Sequence, residues 1–319
     1  MMLQELIHFG VVAAYVLVLL PIFSGLHRLF SPRRQSLKRQ FFVPFQWLFD
    51  LILTLRQVSS QTAARAEQQL RKVMLFFMLF CSLFPLLSLP LFGNGFGAST
   101  LSAGFFFSFL FFQGIFTLGL GLTSTDELAR VYMLEQFFSR QALIIAITLS
   151  CLTLPYTHSG TLYFALQQQM GIYSRFIPHY GIFSSPIAFF IAMIALALYT
   201  RQWLENEVPL RANLINSIEN ELPSSQFAVF TFSRELEYLT IHALLVALFL
   251  GGPFLATFSI SPIMGCVVFG TKILATSLVA LAIGQVLPHY FRERAFRVAI
   301  LWLIPFLLLT NLLRSALAS

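Results

Sequence analysis

One lysine, Lys272, stands inside the apolar run GTKILATSLVALAIGQV. It lies about ten residues from the nearer end of the expected span 262–287, or ~15 Å along a helix axis, farther than a lysine stem can reach. A cation at such depth faces a bundle interior or water, and it either serves an ion path or is held by backbone carbonyls and hydroxyls such as Thr271 and Ser277. Acid pairs form a second set: Glu205 with Glu207, Glu219 with Glu221, and Glu235 with Glu237, all within the stretch 201–238. If buried, such carboxylates perturb one another and can pass protons; on an exposed loop they cannot. Arg130, Glu135 and Arg140 in STDELARVYMLEQFFSRQ could line the same mouth. The remaining reactive side chains point to little chemistry. His8, His27, His158, His179, His242 and His289 are scattered, which makes a metal site an unattractive reading. Cys81, Cys151 and Cys266 lie in apolar segments without CxxC spacing, so neither a disulfide framework nor a cysteine-ligated cluster is indicated. There is no phosphate-cradling GxxxxGK[ST], no HExxH and no nucleophile triad.

The elements that must position these residues are membrane spans. The 319 residues are 57% hydrophobic and 10% charged, with 37 phenylalanines and a mean hydropathy of +0.79, which excludes an ordinary soluble domain. Apolar runs long enough to cross ~30 Å of hydrocarbon recur throughout. The expected fold is all-α, a polytopic integral membrane protein forming one transmembrane domain over 1–319. Eight spans are expected, at about 6–30, 70–93, 100–123, 140–158, 182–200, 239–259, 262–287 and 296–315. The first is too long for a signal-peptide core and lacks a small-residue cleavage motif, so it is expected to be retained. FFVPFQWLFDLILTLR, at 41–56, is apolar but short and contains Asp50, which suits an amphipathic helix lying in the interface.

Charge sets an expected orientation. Of 20 Lys and Arg residues, 17 fall in alternate connections, including Arg28, Arg33, Arg34, Arg130, Arg140, Arg292 and Arg294. By the positive-inside rule these connections face the cytoplasm and both termini lie outside. The net charge of +7 is then a matter of topology, with no need of nucleic acid. Twelve of the 13 acids share those stretches, leaving Glu5 elsewhere. Acids and bases together suggest an ion-paired docking surface, with Arg28, Arg33, Arg34, Asp50, Arg130, Arg140, Arg292 and Arg294 as its candidates; ordinary solvated loop charge is the alternative.

The order of these features resembles the complex I membrane subunit 1 family. That family includes the quinone-site subunit of NADH dehydrogenase and its counterparts in formate hydrogenlyase and other group 4 membrane-bound hydrogenases. PIFSGLHRLF with PFQWLFDLILTLRQ is similar to the first span and following amphipathic helix, setting Asp50 on an acidic family position. SIENEL resembles the family's EAExEL motif and brings over Glu219 and Glu221. VALFLGG, Lys272 and FRERAFRVAILWLIPFLLL resemble the end of the pattern. The hydrogenase-type members are the nearest in character. KRQFFVPF stands where the family has a Gly-Pro, and ANL where it has PFD. A family glutamate falls here near Ser139 and Arg140.

The resemblance implies a membrane anchor, without catalytic chemistry of its own, within an oxidoreductase-type complex of a prokaryotic inner membrane. It would join a cytoplasmic hydrogenase-like or iron–sulfur module to antiporter-like membrane subunits. Iron–sulfur clusters and nickel–iron would belong to partners, with no cofactor held by this chain. The departures suggest a retained scaffold with an eroded redox site, and quinone binding is left open. On this reading Lys272 belongs to a central polar axis, with Glu219, Glu221, Glu135, Glu235 and Glu237 as further ion-path or coupling candidates. Two alternatives stand beside it: a subunit of a redox-free complex for ion or inorganic-carbon transport, and a standalone secondary transporter. Against the latter, no inverted repeat with matching broken helices is evident.

Overall fold

The computed structural model describes residues 2–29, 65–87, 103–124, 127–154, 181–205, 222, 224–252, 262–287 and 294–318. Among these, all regular structure is helical. In chain order the elements are α1 (Met2–Leu29), α2 (Arg65–Leu87), α3 (Ala103–Leu122), α4 (Glu127–Leu152), the single turn α5 (Gly181–Ser184), α6 (Pro186–Glu205), α7 (Ser224–Phe249) and α8 (Pro262–Val286). The last helix is α9 (Ala295–Val298), a π segment (Ala299–Leu303) and α10 (Ile304–Ala318). Pro305 follows that segment closely. Having no N–H, it cannot donate to the carbonyl four residues back, and a local change of hydrogen-bond register accommodates the loss.

Among the described residues, four stretches are long and apolar enough to cross a bilayer: Gln68–Leu87, Phe105–Leu122, Met264–Val286 and Ala295–Leu312. Gly10–Gly25 and Pro186–Gln202 are shorter apolar stretches. The architecture is therefore an all-α membrane protein. Each of the eight segments expected from hydropathy overlaps a helix, but the lengths and apolarity of the described helices support four crossings directly. The difference is greatest for α4 and α7. α4 begins at Glu127 where the span was expected at 140, and α7 runs from Ser224 to Phe249 where 239–259 was expected. Hydropathy starts a span where charges become sparse, whereas these two helices take charged residues into their own turns. The interfacial segment 41–56, with Asp50, lies outside the described residues, as do Arg33, Arg34, Glu219, Glu221 and Arg292.

α7 is the central element. Every position from Glu235 to Phe249 is buried, the pattern of a helix enclosed on all sides rather than one with a single apolar stripe. α1, α2, α4, α6 and α8 pack around it. The core runs through Leu236, Leu239, Leu244, Leu245 and Leu248 of α7 into Phe23 of α1, Ile147 of α4 and Leu196 of α6. Small residues set the closest approaches. A Cβ on Gly284 of α8 would lie 3.2 Å from the Ala197 carbonyl oxygen of α6, so the two backbones nearly touch.

That approach leaves no room for a larger side chain. Gly284→Leu is expected to force α6 and α8 apart and cost about 1–3 kcal/mol, read as a lowered thermal midpoint of the detergent-solubilised protein; an unchanged midpoint would show that the helices yield freely.

Candidate functional site: a buried ion pair and two capped helix ends

Three helices meet at Glu237. The α7 carboxylate is fully buried and forms an ion pair with Arg140 of α4. The Tyr199 hydroxyl of α6 donates to Glu237 Oε1 at 2.9 Å. The guanidinium of Arg140 also sits over the Tyr199 ring, 5.9 Å from its centroid, a cation–π contact that holds the charge against the phenol. Beside Arg140, Gln202 Nε2 of α6 donates to Ser139 Oγ of α4. A buried carboxylate is tolerable only when paired and hydrogen-bonded, and one helix could not supply both partners.

Glu235, two residues earlier, does not share this site. A step of two along a helix turns the side chain roughly 200° around the axis. Glu235 accordingly meets α1, where Ser24 Oγ donates to its Oε1 at 3.1 Å. The pair visible in the sequence is thus two separate buried carboxylates on different faces of α7. Between and above them runs a set of hydroxyls and amides. Ser82 of α2 and Ser233 of α7 lie 2.8 Å apart, Gln113 Nε2 of α3 donates to the Ser233 carbonyl at 3.1 Å, and Thr240 donates to the Ser82 carbonyl at 3.1 Å. The Tyr238 hydroxyl donates to Thr200 Oγ1 at 2.6 Å and is also hydrogen-bonded with Ser277 of α8. Its ring stacks on Tyr199, 6.0 Å between centroids. His242 Nδ1 lies 2.9 Å from the Tyr238 carbonyl, so its N–H is spent on its own helix, and the ring packs against Phe23 and Tyr238.

Lys272 does something different. α7 ends at Phe249, followed by Gly251 and Gly252 in the left-handed region at φ 71° and 56°. The Leu250 and Gly252 amides both donate to the Val246 carbonyl, at 3.0 and 3.1 Å. This is a glycine-dependent helix stop, and it turns the next carbonyls toward α8. There Lys272 Nζ donates to Leu250 O at 2.6 Å and to Gly252 O at 3.0 Å. A cation against a helix C-terminus meets partial negative charge as well as free acceptors. The same device recurs at the end of α3, where buried Arg71 of α2 donates from Nη2 to the Thr123 carbonyl at 2.8 Å and from Nε to Thr123 Oγ1 at 3.1 Å.

The other sequence candidates are more dispersed. Arg130 lies 3.9 Å from Glu127 one turn earlier, both with exposed side chains, a contact of little energetic weight. Glu135 is exposed on α4 and Arg294 is exposed ahead of α9. Arg28 lies within α1. Sequence reasoning missed Ser24, Arg71, Tyr199 and Tyr238. Tyr199 and Thr200 had a faint signal as polar residues closing an apolar run, whereas Arg71 read only as loop charge. Among the described residues no three His, Cys, Asp or Glu side chains converge as metal ligands, and Cys81, Cys151 and Cys266 are free and buried.

A buried, helix-spanning charge centre in an all-α membrane bundle defines a membrane subunit built around an internal polar site. A family model for NADH dehydrogenase matches residues 8–315, and the chain belongs to the NADH dehydrogenase family, complex I subunit 1. Membership implies a place in a multisubunit membrane complex. No curated protein matches the chain. A shallow crevice between α6 and α8 is lined by Ala197, Thr200, Arg201, Leu281, Gly284 and Gln285.

The ion pair yields a stability prediction. Arg140→Met strands the Glu237 charge and should cost about 3–5 kcal/mol. Adding Glu237→Gln to it should recover most of that loss. Both are read from subunit yield and thermal unfolding, and a double variant no better than the single would mean that Arg140 acts by packing.

Proposed function

We propose that this chain is the membrane-anchor and coupling subunit of a complex I-like or hydrogenase-like ion-translocating complex, linking a cytoplasmic module to antiporter-like membrane subunits. Family membership supports the setting. The observation that carries the coupling role is the buried Arg140–Tyr199–Glu237 centre at the junction of α4, α6 and α7. Protonating Glu237 would remove the attraction that holds Arg140, so proton uptake and the packing of α4 against α7 are linked. From Tyr199, stacked on Tyr238, hydroxyls continue through Thr200 and Ser277 to a point five residues, or about 7.5 Å by helical rise, from Lys272. This fits a polar route within the bundle, with Glu235 and Ser24 as a second limb. Redox centres, iron–sulfur or nickel–iron, belong on this reading to the partner module. The charge pattern supports eight crossings of a prokaryotic inner membrane with the basic connections inside and both termini outside.

A second reading is favoured by one observation. The family glutamate falls near Ser139 and Arg140, where this chain has a guanidinium that compensates Glu237. A base in this neighbourhood in place of the acid suits a complex that has lost the redox step and uses the scaffold for ion or inorganic-carbon transport.

Purification of the native complex through a tag on this chain separates the two. Antiporter-like chains with an iron- and nickel-bearing module are expected on the first reading, and antiporter-like chains without metal on the second; a chain that purifies alone overturns both. In vesicles containing the complex, Arg140→Met combined with Glu237→Gln, which leaves no buried charge stranded, is expected to lower ion translocation severalfold while most of the subunit yield is kept, and unchanged translocation would remove the centre from the path.

A further inference from the structure

The lysine at the end of α7 is held in a manner that suggests more than a cap. Its acceptors are the Leu250 and Gly252 carbonyl oxygens, presented by two consecutive left-handed glycines at the negative end of a helix buried at every position from Glu235 to Phe249. Carbonyl oxygens at an interrupted membrane helix are the ligand type that takes hard monovalent cations, since they replace hydration oxygens without adding a full negative charge. An ammonium group and a potassium ion are close in size and charge, and both are satisfied by oxygens arranged around a point. Lys272 approaches from α8, across the helix contact, so the amine is a tethered ion occupying a site that α7 builds.

We infer that the Leu250–Gly252 carbonyls at the C-terminus of α7 form a monovalent-cation site, filled by the Lys272 ammonium and able to take a free monovalent cation when that amine is withdrawn or removed. The cap at α3 is the contrast. Arg71 meets the Thr123 hydroxyl and carbonyl with two separate nitrogens of a planar fork, whereas at α7 two carbonyl oxygens converge on the single Lys272 Nζ.

The test is a thermal-unfolding comparison on the purified native complex carrying wild-type chain, Lys272→Met or Arg71→Met, in potassium, ammonium or choline chloride at equal ionic strength. Lys272→Met should melt several degrees lower than wild type in choline and regain part of that loss in potassium and ammonium, with wild type and Arg71→Met indifferent to the cation. A Lys272→Met midpoint independent of the cation overturns the inference, as does an equal response in Arg71→Met, which would mark a general ionic effect. Should Lys272→Met assemble too poorly to measure, Lys272→Gln serves, because its amide still donates to one carbonyl; the same cation order, smaller, is expected, and its absence counts against the site equally. The readout is stability, so failure here leaves the coupling role standing, and failure of coupling leaves this site standing.

Discussion

The carboxylate of Glu237 has no access to water, and much of the bundle is arranged around that fact. Removing its charge from solvent is costly, and the cost is offset only if a guanidinium and a hydroxyl arrive in suitable geometry. Arg140 comes from α4, Tyr199 from α6 and Glu237 from α7. Satisfying one side chain therefore fixes the rotation and axial position of three helices together. Apolar contacts in a bilayer cannot do this, because lipid tails are as apolar as leucine and give helices little reason to prefer one register. The phenylalanine-rich surfaces of α2 and α3, with Phe76, Phe80, Phe105 and Phe112 exposed, supply area without register. The polar centre supplies register.

The same constraint governs the helix ends. A helix that stops within or near hydrocarbon leaves carbonyls that neither water nor the chain's own amides can satisfy. α3 and α7 both meet the problem with a cation from another helix, buried Arg71 in one case and half-buried Lys272 in the other. These cations explain why basic residues occur where hydropathy alone would exclude them. They also tie α2 to α3 and α8 to α7, so each cap is at once a terminus and a cross-brace.

How much of this could be read from the sequence depends on the range of the interaction. Long apolar runs report on a single helix and its solvent, so the all-α membrane class was legible, while four of the eight expected spans meet described helices long and apolar enough to cross. The starts of α4 and α7 were displaced because a charge that is paired inside the bundle looks in sequence like one that belongs in water. Glu235 and Glu237 were legible as acids but not as two sites, since their separation follows from helical rotation once the segment is known to be helical. Lys272 was legible as an anomaly, and backbone carbonyls were among the acceptors considered for it. That they come from the end of α7 could not be found by inspection, although LFLGG carries the stop signal in its two glycines. Tyr199, Ser24 and Arg71 depended on which helices adjoin, and sequence patterns within one helix do not hold that information.

α7 joins the two kinds of site, and its composition decides how they can communicate. Its first part carries Ser233, Glu235, Glu237, Tyr238, Thr240 and His242; from Ala243 to Phe249 it is apolar throughout. Thirteen residues separate Glu237 from Leu250, about 20 Å along the axis. Charge cannot pass along α7 itself over the apolar turns. Two means remain: the hydroxyls that lead off α7 from Tyr238 to Thr200 and Ser277 on neighbouring helices, or movement of α7 as a rod whose middle is held by Arg140 and whose C-terminal end is held by Lys272. The second asks less of the structure. An axial shift of α7 that lengthened the Arg140 contact would also alter the carbonyl positions that Lys272 reads, because both are fixed to one continuous helix, so a change of charge at Glu237 would be felt at the far terminus without any proton crossing the apolar turns.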